Sequence, residues 1–169
     1  MHNSKWFAGA FMVMLPWLSF ADALLTLNGN VVASPCTVDT DTVNKTVDLG
    51  AAQRRDLQTA GEGAEWQDFG LLLTNCPPGT TKVTASLSGT ADTQDATAWK
   101  NSGTSGNMAL RIASSDHATV YALGYILEQN VDISTRSAHF PMSARMFTPQ
   151  GNATAGTFRS VINVDFTWQ

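Results

Sequence analysis

Phe158-Arg159-Ser160-Val161-Ile162-Asn163-Val164-Asp165-Phe166-Thr167-Trp168-Gln169 closes the chain, and its alternation decides the fold. Successive side chains of an extended strand point to opposite faces. Phe158, Ser160, Ile162, Val164, Phe166 and Trp168 therefore share one face. A half-buried strand is predicted over 157–168. Upstream, 43–49 alternates in the same way, 69–73 is a short apolar run, 82–87 is β-branched and bounded by turn residues, and 108–113, 120–127 and 137–147 are further strand candidates. The segment 51–67 has no clear apolar period and can hold a helical turn, and 91–106, rich in Thr, Ser, Gly and Asn, reads as a surface loop. Seven or more short strands between Gly and Pro turns predict an all-β sandwich of one domain, without internal repeats.

The other end of the chain carries a second alternating stretch. Ala23, Leu25, Leu27, Gly29 and Val31 fall on one face, and Thr26, Asn28 and Asn30 on the other. This stretch precedes Pro35 and Cys36, so it reads as an extension outside the body; an ordinary intramolecular strand is the alternative. In front of it, Lys5, the apolar run from Trp6 to Leu18 and the small-residue end Ser19-Phe20-Ala21 predict a secretory signal peptide over 1–21, with cleavage after Ala23 as the alternative. The run is too short to span a bilayer, and Pro16 interrupts it. Export gives Cys36 and Cys76 a meaning, because a lone pair in an oxidising compartment is expected to be bonded. Closing a loop of about 41 residues stabilises a fold by roughly 4 kcal/mol in the chain-entropy model.

Composition narrows the function. With 10 Lys and Arg against 14 Asp and Glu in 169 residues, the net charge of −4 lacks the basic excess that phosphate neutralisation demands, so no nucleic-acid partner is expected. Only 14% of residues are charged, which suits a neutral β surface. No Gly-x-Ser-x-Gly elbow occurs; Gly103-Thr104-Ser105-Gly106 has the wrong spacing. His117 and His139 lack ligand spacing to each other or to the cysteines, and they read as turn and strand residues. The carboxylate pairs Asp92/Asp95 and Asp39/Asp41 read as turn acids rather than a glycosidase pair. No catalytic residue, cofactor or metal is therefore expected.

Several strings together resemble a known family. They are Leu27-Asn28-Gly29-Asn30-Val31-Val32-Ala33 leading to Cys36, a second cysteine after a short apolar strand, Phe140-Pro141-Met142-Ser143-Ala144-Arg145, Gly156 as the fourteenth residue counted from the C-terminus, and a penultimate aromatic at Trp168. This set is similar to the subunits of chaperone–usher pili. Cys76-Pro77-Pro78-Gly79-Thr80, Val83-Thr84-Ala85-Ser86 and Ser137-Ala138-His139-Phe140-Pro141 resemble the minor tip-fibrillum subunits of type 1 and type-1-like fimbriae. Two departures are Trp168, where many relatives carry Tyr, and Ala23, where a larger apolar residue is common.

The resemblance implies an incomplete immunoglobulin-like β-sandwich lacking its final strand and completed by donor-strand complementation, a form of β-augmentation. It implies a signal peptide over 1–21, a donor-strand extension over 22–34 and a pilin domain over 35–169. Gly156, Phe158, Ile162, Val164, Phe166 and Trp168 would form the strand that lines a groove and pairs with a chaperone. Ala23, Leu25, Leu27, Gly29 and Val31 would fill a neighbour's groove. Burying three large side chains, such as Leu25, Leu27 and Val31, is worth roughly 5–9 kcal/mol at about 1.5–3 kcal/mol each. The partners implied are a periplasmic pilus chaperone, an outer-membrane usher and neighbouring fimbrial subunits including an adhesin. The destination is the cell surface by way of the periplasm. A minor subunit of an adhesive fimbria is the expected function, with a major rod subunit or a secreted sugar-binding module using Trp66, Trp99 and Tyr121 as alternatives.

Overall fold

The computed structural model describes residues 28–29 and 34–169. Asn28 and Gly29 are exposed and outside any strand; the predicted signal peptide and Ala23, Leu25, Leu27 and Val31 lie outside the described residues. The body is built of β1 (Thr37–Val38), α1 (Thr40–Val43), a 3-10 turn at Arg54–Leu57, β2 (Gln67–Thr74), β3 (Lys82–Gly89), β4 (Trp99–Lys100), β5 (Ala109–Ser114), β6 (Ile126–Asn130), β7 (Ala138–Phe147) and β8 (Ile162–Trp168). One sheet runs β1-β2-β7-β5-β4 and the other β6-β3-β8, with every pairing antiparallel. The inward faces carry Leu71 and Leu73 of β2, Phe140 and Met142 of β7, Ile112 of β5, and Val83, Ala85 and Leu87 of β3, all buried. Cys36 and Cys76 are joined by a disulfide, which ties β1 to the far end of β2.

β7 pairs on both sides and still contains Pro141, which cannot donate to a ladder. The register explains this. Pro141 lies opposite Gly70 of β2, but β5 ends at the Ser114–Met142 pair, so beyond Met142 only one flank of β7 is paired. Gly70 in turn makes room for the ring of His139, which a β-carbon at that position would overlap.

Three strand expectations and one loop expectation need correction. Residues 43–49 are not a strand. Asp39 caps α1, its Oδ1 accepting from the Asp41 amide at 3.0 Å, and Thr42 Oγ1 accepts from the Leu72 amide at 2.9 Å. That hydroxyl takes the donor of β2 that a longer β1 would have used, so the chain leaves the sheet after Val38. The predicted strand 120–127 begins only at Ile126, because Gly124 takes a φ of +76° and its amide donates to Leu87 O at 2.8 Å. The supposed surface loop 91–106 contains β4, whose Trp99 is fully buried and donates its indole N–H to Tyr121 O at 3.1 Å.

The fourth correction concerns the closing strand. β8 starts at Ile162, so Gly156 and Phe158 stand outside it. Residues 157–159 are held instead by the loop 101–105: Ser105 N donates to Thr157 O at 3.0 Å and Ser102 N to Arg159 O at 2.7 Å. The approach is so close that a β-carbon on Gly103 would overlap the Thr157 carbonyl, and one on Gly156 the backbone of Thr104 and Ser105. Gly156→Val is therefore expected to lower stability by about 1–3 kcal/mol, the range for overpacking. Thermal unfolding of the purified protein measures it, and an unchanged midpoint would refute the close packing.

Candidate functional site

β8 is an edge strand: β3 covers one flank through seven residue pairs, from Val83–Trp168 to Gly89–Ile162, and no described strand covers the other. Its burial alternates as the sequence predicts. Ile162, Val164, Phe166 and Trp168 are half-buried, and Asn163, Asp165 and Thr167 are exposed. The ordered face looks inward, where Phe166 meets Phe140 with ring centroids 5.8 Å apart. None of the four inward side chains of β8 reaches the full burial of Val83 or Leu87 on β3 beside them. In a sandwich, the residue that would cover them comes from a further strand on the open flank.

Along that flank runs a cavity of about 1840 Å³. Leu71, Leu87, Leu110, Ile112, Met142 and Met146 lie at its base, Val38 and 42–54 along one wall, and 154–166, with Phe158, Ile162, Val164 and Phe166, along the other. Phe158 thus keeps its place on the groove although it precedes β8. Gly156 also borders the cavity. Small-molecule pockets hold roughly 300–1,000 Å³, so this cavity is a trough rather than a pocket. Its apolar base and the unpaired edge of β8 match the two demands of an incoming strand: side chains to bury and a ladder to continue. Sequence reasoning missed the wall formed by 44–54, because the alternation over 43–49 reads as a paired strand and 51–54 shows no apolar period; the half-burial of Val47 and Leu49 in an irregular stretch carries the signal only once the fold is known.

The remaining candidates do not converge. Trp66 lies against His117, rings 4.5 Å apart and nearly parallel, with the Arg145 guanidinium 4.6 Å from its centroid. Trp99 is buried and Tyr121 stacks on Tyr125 at 4.6 Å, so the three aromatics offer no common platform for a sugar. His117 occupies a turn at φ +62°. The acids serve local structure: Asp39 caps α1, Asp92 accepts from the amides of Gln94 and Asp95, and Asp95 pairs with Arg111 at 2.9 Å. Burial pushes the Asp95 carboxyl up, but hydrogen bonds from Thr97 and the Arg111 guanidinium outweigh it and hold it below the usual range. On the same outer face, burial and the charge of Arg111 push Arg145 down.

The fimbrial protein family model matches residues 25–169. The chain belongs to the fimbrial protein family. Among curated fimbrial relatives, protein FimG of Escherichia coli strain K12 is 45% identical over 148 residues, covering 88% of this chain and 86% of FimG. The fimbrial-like protein YdeR of the same strain is 40% identical over 152 residues, covering 90% and 88%. Among solved structures, the P pilus rod subunit PapA superposes with a TM-score of 0.65 at 17% identity, over 80% of this chain and all of PapA. The P pilus adaptor subunit PapF gives 0.54 at 15%, over 83% and all of that chain. The fold is the immunoglobulin-like pilin sandwich, and this fimbrial chain is a structural subunit of an extracellular fimbria.

Proposed function

We propose that this chain is a minor subunit of an adhesive fimbria that polymerises by donor-strand exchange. Its groove receives an extended segment of one neighbour, and its own residues 22–34 fill the groove of the next. The observation that carries the reading is the apolar trough beside the open edge of β8, lined by side chains left half-buried. In this reading a periplasmic chaperone occupies the groove first and an outer-membrane usher exchanges it for a subunit, because a bare trough and bare edge invite aggregation. Residues 1–21 direct export, residues 35–169 form the pilin domain, and the chain has no catalytic task and no cofactor. The tip-like strings around Cys76 and His139 favour a link between an adhesin and the rod over the rod itself.

The test is expression in the periplasm with and without the chaperone. The subunit alone is expected to be poorly stable and to recover with the chaperone or with a peptide copied from a donor extension. Monomeric, reversible, high-temperature unfolding of the lone mature chain lacking 22–34 would sink the reading.

Gly29 has a defined part in it. A glycine weakens a strand unless a close approach requires it. Between Leu27 and Val31 on the donor face, it lets the backbone pass over a shallow part of the neighbour's groove. Gly29→Leu is expected to leave the subunit's own folding intact but to slow or block its entry into the preceding subunit. Mixing the mutant–chaperone complex with the preceding subunit–chaperone complex, and following the detergent-resistant pair on gels, measures this; wild-type rates would remove the steric argument.

A further inference from the structure

We propose that Asn28-Gly29 is a site of spontaneous deamidation, and that the reaction retires subunits whose extension has waited too long without a groove to enter. The second half rests on the donor-strand reading. Of the ten asparagines in the sequence, Asn28 alone is followed by glycine. Without a β-carbon on the following residue, the main-chain nitrogen can swing onto the asparagine side chain, a freedom other residues lack. The Gly29 nitrogen, giving up its proton, attacks Asn28 Cγ. The bond from Cγ to the side-chain nitrogen breaks, and ammonia leaves carrying that proton. Water then opens the five-membered imide at either carbonyl, giving aspartate or isoaspartate.

The structure separates this asparagine from its nearest competitor. Asn101-Ser102 also has a small follower, but its side chain is fixed on both ends. Asn101 Nδ2 donates to Ser105 O at 2.8 Å and to Ser105 Oγ at 2.9 Å, while Oδ1 accepts from the Gly103 and Arg159 amides at 2.8 and 3.0 Å. Cyclisation there requires all four to open first. Asn28 and Gly29 are exposed and belong to no strand. A strand held between two neighbours would suppress the same reaction, since its main chain could no longer fold back.

The isoaspartate product disables a donor strand. It routes the main chain through the β-carbon, so Leu25 and Leu27 on one side and Val31 on the other lose their two-residue phase, and one group points away from the groove. The aspartate product, on the face opposite the donor side chains, keeps that phase.

The experiment ages purified unassembled subunit, held folded in its chaperone complex, and assembled fimbriae side by side at mildly alkaline pH. Peptide mapping and isoaspartate-specific methylation then read positions 28 and 101. Asn28 of the unassembled subunit is expected to convert about tenfold or more faster than Asn101, and to be slowed comparably in fimbriae. Entry of aged subunit into the preceding subunit should fall in proportion to the fraction converted to isoaspartate, and Asn28→Gln should keep full entry after the same ageing. Conversion no faster than at Asn101, or aged subunit entering at the fresh rate, overturns the proposal. Equal conversion in fimbriae and in unassembled subunit would leave the chemical site standing while overturning the placement of 22–34 as a buried donor strand.

Discussion

Val164→Asp and Phe166→Asp are each expected to abolish capture of the subunit by its chaperone, so that neither variant co-purifies with it from the periplasm. Both side chains point inward from β8, opposite Leu87 and Ala85 of β3, and both border the trough. An aspartate there would lose its hydration to apolar neighbours, at a cost of several kcal/mol. The penalty falls on the one surface that the chaperone is proposed to cover. Asp165 lies between them on the exposed face, so Asp165→Asn should co-purify as the wild type does. Retained capture by both apolar-to-aspartate variants would show that the register of β8, or its place in the groove, is wrong.

Cys36→Ser should reduce the periplasmic yield severely. Removing a native bridge from a small secreted domain costs about 2–5 kcal/mol, comparable to much of the net stability of such a domain. Here the loss is aggravated by what the bridge holds. β1 pairs with β2 through only two residues, Thr37–Thr74 and Val38–Leu73, too few to keep the first wall of the trough in place alone. Both half-cystines are buried, so the variant leaves a hydroxyl and a thiol in apolar surroundings. Labelling of native wild-type protein should find no free thiol; two reactive thiols per chain would refute the bond.

The sandwich and its open last strand were legible because a half-buried strand writes its burial into every second residue. Ile162, Val164, Phe166 and Trp168 are read correctly for that reason, as are the cores of β2, β3, β5 and β7. What could not be read are features made by single side chains rather than by a period. Thr42 ends β1 by accepting one amide of β2, and threonine at that position carries no mark of it. Trp99 sits in a polar, turn-rich stretch that disguises two core residues, Ala98 and Trp99. Gly103 lies against Thr157 and Gly156 against Thr104 and Ser105, and that close contact delays the start of the strand by five residues relative to its alternation. The donor residues Ala23, Leu25, Leu27 and Val31 rest on their alternation and on the family resemblance.

The position of the disulfide has a mechanical consequence. If fimbrial subunits are joined through their N-terminal extensions, tension enters the body at Pro35 and is drawn off along β8. Cys36 is the next residue, and its bond hands the load directly to Cys76, forty positions further on. The 39 residues between them carry none of it. Unbridged, that stretch could pay out roughly 130–140 Å of slack at about 3.3–3.6 Å per residue. With the bridge intact, a subunit under pull transmits force from the turn after Cys76 into β3 and across its seven pairs with β8, and the fibre lengthens little before those pairs shear.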